Sequence, residues 1–319
     1  MPATGSPLAE RGIHVQDIIE QAVCEIGRVL LGKDRQIRLA LCALFSRGHL
    51  LIEDMPGMGK TTLSHALARV LGLEFARVQF TSDMLPGDIL GVSVYDQRAQ
   101  AFNFHPGPVF TEVLLADEIN RSTPKTQSAL LEAMAERQVT IEGETRALPA
   151  DFFVIATQNP VTQAGTFPLP ESQLDRFLMR IEIGYPDRAA ERAMLAGGAG
   201  TPPIDALKAA LSREQLRGIQ QEAQQVGTAD MLLDYVQRLI EYTRSAPEFA
   251  HGLSPRGALA LVNSARTWAY MEGRAHVVPE DVQAVLPAVV AHRLRSTTDF
   301  TGDGRALVQR LLADVDIFD

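Results

Sequence analysis

Cysteine is almost absent: Cys24 and Cys42 are the only thiols in 319 residues, which excludes a disulfide framework and a cysteine-built metal cluster. Neither has metal-ligand spacing and both lie in apolar helical surroundings, so both read as buried thiols of a reducing compartment. Histidine is sparse too, and His105, His251, His276 and His292 share no metal-binding pattern. No run reaches 18 apolar residues and the N-terminus lacks an apolar signal core. A soluble, cytoplasmic chain with no direct membrane insertion is expected. Basic residues are in deficit, 30 Lys+Arg against 39 Asp+Glu, for a net charge of -9. The deficit is shared, -6 over residues 1–185 (16 basic, 22 acidic) and -3 over 186–319 (14 basic, 17 acidic). A motor gripping a polyanion carries a cationic stripe, so no nucleic-acid partner is expected. Internal repeats and low-complexity tracts are also missing.

What is present begins at His49-Leu-Leu-Ile-Glu53, an apolar strand running into Asp54-Met55-Pro56-Gly57-Met58-Gly59-Lys60-Thr61-Thr62. Gly57 and Gly59 permit positive φ and close backbone approach, the loop amides and the following helix N-terminus face a β-phosphate, and Lys60 reaches the β/γ oxygens. Thr61 is left to ligate Mg²⁺. Asp54 stands where the generic pattern G-x-x-x-x-G-K-[ST] has glycine, yet Leu63, Leu67, Val70 and Leu71 supply the helical context that the pattern requires.

About 60 residues on, Val113-Leu-Leu-Ala-Asp117-Glu118 is a second apolar strand ending in two carboxylates. At the C-terminal edge of an open α/β sheet, Asp117 can hold hydrated Mg²⁺ while Glu118 orients and deprotonates water. Together with Lys60 and Thr61 the pair specifies ATP hydrolysis. A third strand, Phe152 to Gln158, ends at Asn159-Pro160; Asn159 suits either a γ-phosphate contact or an ordinary turn. Arg176 in Gln173-Leu-Asp-Arg-Phe177 can offer a permanent planar charge to a transferring phosphoryl group or form a surface ion pair with Asp175.

Alternating strands and helices stop near Pro186-Asp187, predicting a core over 1–186 and an all-helical lid over 187–319. Lid helices are expected at Ser212 to Gln225, Asp230 to Ser245, Pro255 to Tyr270 and Pro279 to Leu294, with a loop at Gly197 to Pro203. Trp268 and Tyr270 fall at helical spacing with Leu261 and Ala265, as lid core. The segment Thr81 to Phe110 is too long for a plain connection, and the alternation of Phe102 and Phe104 predicts a hairpin insert. A second hairpin is expected at about 137–148, turning near Gly143. Neither insert is expected to expose an aromatic pair for threading a polypeptide.

These motifs resemble those of the MoxR-type AAA+ ATPases, in the helix-2-insert branch of that superfamily. The long strings Glu118-Ile-Asn-Arg-Ser-Thr-Pro-Lys-Thr-Gln-Ser-Ala-Leu-Leu-Glu-Ala-Met134 and Phe102-Asn-Phe-His-Pro-Gly-Pro-Val-Phe110 carry the resemblance most specifically, and it covers nearly the whole chain. It implies a P-loop AAA+ core with a parallel sheet, β-hairpin inserts and a helical lid. It further implies Asp54 to Thr61 as the ATP loop, Leu114 to Glu118 as Walker B, Asn159 as sensor 1, Arg176 as arginine finger and Arg256, in Leu-Ser-Pro-Arg-Gly, as sensor 2. The expected activity is Mg²⁺-dependent ATP hydrolysis by a homo-oligomeric, hexameric ring that remodels a protein client, with inserts facing the ring axis. A von Willebrand factor A domain protein is the client that the resemblance suggests. A nucleotide-gated scaffold with negligible hydrolysis, or a nucleic-acid motor, are the alternative readings.

Overall fold

A computed structural model describes residues 15–98, 100–159, 166–196, 202–298 and 304–317. Two helices, α1 (Val15–Gly27) and α2 (Asp34–Phe45), precede strand β1 (His49–Glu53). Helix α1 buries Ile18, Ile19, Ala22, Val23 and Ile26, a stripe at three- and four-residue spacing. Cys24 lies about 200° round the helix from Ala22 and is exposed, so the expectation of two buried thiols is corrected to one, Cys42.

From β1 the chain alternates through α3 (Lys60–Val70), β2 (Phe75–Gln79), α4 (Pro86–Leu90), the hairpin β3 (Gly91–Asp96) and β4 (Ala101–Pro106), and β5 (Val113–Asp117). It continues through α5 (Pro124–Glu136), the hairpin β6 (Gln138–Ile141) and β7 (Glu144–Ala147), β8 (Phe153–Gln158), α6 (Glu171–Leu174) and β9 (Phe177–Ile181). Strands β2, β5, β8, β1 and β9 form, in that order, one parallel sheet. Its central strands β5, β8 and β1 are buried nearly end to end and carry apolar side chains on both sides because both faces are covered. Leu50, Ile52, Val113, Leu115 and Ile155 enter one core; Leu51, Leu114, Ala116, Val154 and Ala156 enter the other.

Beyond β9 the named elements are helices: α7 (Arg188–Leu195), α8 (Arg213–Ala223), α9 (Asp230–Ser245), α10 (Pro255–Met271), α11 (Pro279–Val290) and α12 (Arg305–Asp314). Ser212 and Ser254 cap α8 and α10 through their hydroxyls. Helices α7 and α12 lie outside the four expected lid helices. Helix α7 buries only Ala190, too little to register as a helical period, whereas α12 buries Leu307, Val308 and Leu311 at helical spacing, a signal that the sequence reading passed over. Of the expected loop at Gly197 to Pro203, residues 197–201 lie outside the described residues, as does Pro160. The first apolar core runs from α1 to α3 into the late helices, joining Ile19 and Phe45 to Leu216, Tyr235, Leu261 and Leu286. Trp268 and Tyr270 are half-buried against it, the Tyr270 hydroxyl donating to Glu222 at 2.6 Å.

In the first hairpin Tyr95 pairs with Phe102, ring centroids 5.2 Å apart, and the two are 50% and 67% exposed. This corrects the expectation that no aromatic pair is presented. Alternation assigns residues to a face but says nothing of whether that face is covered. Phe104, on the same face, is covered: Phe110 meets it edge-on and the Arg146 guanidinium of the second hairpin lies 4.0 Å above its ring. That second hairpin turns at Glu142 and Gly143, both at positive φ (52° and 82°), the handedness that a two-residue hairpin turn requires.

Candidate nucleotide site

Leaving β1, the chain passes through Asp54, Met55, Pro56, Gly57, Met58 and Gly59 before Lys60 opens α3, with Thr61 and Thr62 in its first turn. Gly57 and Gly59 have φ of 85° and 89°, and a Cβ on Gly59 would meet Leu30 at 3.0 Å. Backbone conformation therefore favours glycine at both positions, and at Gly59 the approach of Leu30 adds to it. The Lys60 ammonium donates to the Asp54 carbonyl at 2.5 Å and to Asn159 Oδ1 at 2.9 Å. Burial lowers its pKa, opposed by the nearby carboxylates of Asp54, Asp117 and Glu118.

The parallel sheet delivers the acids to the same edge. Asp117 Oδ1 accepts from the Thr157 hydroxyl at 2.6 Å, and Oδ2 from Arg77 at 2.7 Å. Glu118 turns out of the strand at φ 55°, its amide donating to the Thr157 hydroxyl. Its carboxylate accepts from Asn159 Nδ2 at 3.0 Å, Gln79 at 3.1 Å and Arg121 at 2.9 Å. The Arg121 hydrogen bond is the main reason that its pKa falls below the ordinary carboxylate value. A charge-assisted bond to the ionised form keeps that form, the state a general base needs. Asn159, 3% exposed, thus bridges Lys60 to Glu118, and Asn120 holds its carbonyl.

Beside the loop lies a cavity of about 470 Å³, walled by Val29, Leu30, Leu31, Lys33, Gly57, Met58, Gly59, Thr62, Ile183, Gly184, Pro186 and Met194. Apolar side chains with a few polar groups suit a nucleoside. Of these walls sequence reasoning singled out Gly57, Met58, Gly59 and Thr62, as part of the loop; it did not single out the apolar side chains opposite, nor Arg77, Gln79, Arg121 and Thr157 around the acids. The spacing of Arg77 and Gln79 put them on one strand face, but only the adjacency of β2 to β5 brings them to Asp117 and Glu118.

Arg176 and Arg256 are elsewhere. Both line a second cavity of about 300 Å³ with Arg47, His49, Arg137, Asp175 and Arg293. Phe177, next to Arg176, pairs with His49 at the N-terminal end of β1, whereas the phosphate loop leaves from Glu53. Four residue steps of strand, about 13 Å, separate the two ends. Asp175 pairs with Arg293 at 2.7 Å rather than with Arg176, whose guanidinium donates to the Leu131 carbonyl at 2.7 Å. Arg256 stands exposed in the first turn of α10, just past the Ser254 cap.

Residues 49–179 match the family model described as "ATPase family associated with various cellular activities (AAA)", and residues 241–311 match "AAA lid domain". Chaperone MoxR1 of Mycobacterium tuberculosis is 42% identical over 89% of this chain and 78% of its own length. The chain belongs to the MoxR-type AAA+ ATPases. An uncharacterized protein of Bacillus subtilis, YeaC, is 42% identical over 94% of this chain and 95% of its own. The crystal structure of a protein assigned as an ATPase, from Cytophaga hutchinsonii, superposes with a TM-score of 0.87 at 34% identity, covering 98% of each chain. As a MoxR-type protein this chain is a nucleotide-binding ATPase. Among its described residues no helix is long and apolar enough to cross a membrane.

Proposed function

We propose that this ATPase works as a homo-oligomeric ring, hexameric as AAA+ rings commonly are, in which each active site is completed by a neighbour. The observation that carries the reading is the separation of Lys60, Asp117, Glu118 and Asn159 from Arg176 and Arg256 at opposite edges of one sheet. The second edge gathers Arg47, Arg137, Arg176, Arg256 and Arg293 around Asp175, about 13 Å along β1 from the loop, so we assign Arg176 and Arg256 to the site of the adjacent subunit. The boundary between core and lid is taken at 186/187.

In the proposed reaction the amides of residues 57 to 61 cradle the phosphates of ATP, Lys60 neutralises them, and Asn159 steers the γ-phosphate and the water. Glu118 removes the proton from that water as it attacks the γ-phosphorus in line, the bond to the β–γ bridging oxygen breaks so that ADP and phosphate leave, and Arg176 stabilises the charge on the transferring group. Thr61 and Asp117 offer the hard oxygen donors that suit Mg²⁺, with phosphate oxygens and water left to finish its shell. The ion would supply charge neutralisation of the β/γ oxygens. The proposed client is a protein, with a von Willebrand factor A domain protein the choice suggested by resemblance; the exposed Tyr95/Phe102 pair supports a polypeptide-contacting insert.

The test mixes two inactive variants. Lys60→Ala lacks a cradle and Arg176→Ala lacks a finger, each expected to lose at least ~10³-fold in ATPase rate, yet co-assembled rings should regain activity at interfaces pairing a good cradle with a good finger. Glu118→Gln, which should bind ATP without turning it over, controls for assembly. If rings shown to exchange subunits recover nothing, Arg176 does not act across an interface. A scaffold without hydrolysis predicts no turnover in the unmodified protein at any concentration.

A further inference from the structure

Asp54 is the one position at which the phosphate loop departs from the generic motif, and its side chain does not serve the loop alone. Its Oδ2 accepts from the backbone amides of Ile183 at 2.9 Å and Gly184 at 2.7 Å, while Oδ1 accepts from Met55 N at 2.8 Å. Two consecutive amides can converge on one oxygen because Gly184 takes φ of 69°, a conformation that favours glycine. The same segment is held from its other side by Lys33, whose ammonium donates to the Tyr185 carbonyl at 2.5 Å. Lys33 is 8% exposed although it carries a charge. Ile183, Gly184 and Lys33 all wall the cavity beside Gly57 and Gly59.

We infer that Asp54 and Lys33 are positioning residues that fasten segment 183–185 to the phosphate loop and so form the wall against which the nucleoside packs. Neither touches the phosphates. A glycine at position 54, as in the generic motif, leaves the amides of residues 183 and 184 without this acceptor and the wall free to swing from the loop. The affinity contributed by the base and ribose should then depend on Asp54, and that contributed by the phosphates should not. The two contributions are separable because tripolyphosphate carries the phosphates without the nucleoside.

This inference rests on the proposed ATP site, and binding of ATP by the unmodified protein tests that reading first. The protein, nucleotide-free, is titrated with a fluorescent ATP analogue, and tripolyphosphate is then used to displace it. Asp54→Ala and Asp54→Gly should weaken the analogue about tenfold, the equivalent of roughly 1.4 kcal/mol, while the tripolyphosphate constant shifts less than about twofold. Asp54→Asn, whose carbonyl oxygen can still accept from both amides, should restore most of the loss; Lys33→Met should reproduce the alanine pattern. A merely structural role would lower the melting temperature without splitting the two ligands. Equal weakening of analogue and tripolyphosphate would place Asp54 in the phosphate cradle itself, and unchanged analogue binding would remove it from the site; either overturns the inference.

Discussion

At the residue scale, His49 shows how a strand-end side chain becomes a pH-sensitive part of the core. Its Nδ1 accepts from Val154 N at 3.0 Å and its Nε2–H donates to the Met134 carbonyl at 3.2 Å, so the neutral ring is fully used. Burial, chiefly, brings its pKa from 6.5 to about 4, with Arg137 and Arg256 adding positive charge nearby and the Met134 carbonyl opposing. The unfolded chain therefore binds a proton below about 6.5 that the folded protein refuses until about 4. Stability from this site is complete above the upper value and is lost as pH falls toward the lower one. His292, buried and beside Arg293, shifts in the same direction. His49→Gln should flatten the fall of melting temperature between those values by up to one proton's share, about 1.4 kcal/mol per pH unit at most, and leave the remainder to His292. A slope unchanged in the variant would mean that the imidazole is already protonated in the folded state.

At the scale of elements, the first turn of α10 ties the lid to the arginine-lined cavity. The Ser254 hydroxyl accepts from Gly257 N at 3.0 Å and leans toward Asp175 at 3.4 Å, while Pro255 fits the first helical position. Ser254→Ala should cost about 1 kcal/mol of stability, the usual value of an N-cap, seen in chemical denaturation. ATP turnover should fall further than that loss explains if the turn orients Arg256; a variant with wild-type turnover per folded molecule would show that it does not. The caps at Ser212 and Ser254, the apolar strands and the glycines of the loop are local signals, which is why the sheet, the phosphate loop and four of the late helices could be read from the chain. What could not be read depends on neighbours that sequence does not specify. Arg77 is on Asp117 because β2 lies beside β5, Cys24 is wet because it missed a stripe by one position, and Tyr95 with Phe102 is bare because the described residues leave that end of the hairpin uncovered. Helix α7 buries too few side chains to leave a period, whereas α12 carries one, in Leu307, Val308 and Leu311, that could have been read.

At the scale of the whole molecule, the proposed ring would give each subunit a direction: a receiving end at the phosphate loop and a supplying end at Arg176 and Arg256. In the proposed assembly such contacts are head-to-tail, the type that closes into rings. Damage to one end would then be confined to one active site. A subunit carrying Lys60→Ala spoils its own site and still serves the next; one carrying Arg176→Ala keeps a working cradle and starves the next. A subunit carrying both substitutions extinguishes two sites. With independent sites, trace doping of wild-type rings by the double variant should lower ATPase activity about twice as steeply as doping by either single variant, a ratio that follows from counting ends in a head-to-tail ring. Equal initial slopes for single and double variants would mean that one bad link already stops both of its neighbours, and the ring would then be a single engine rather than a set of engines sharing parts.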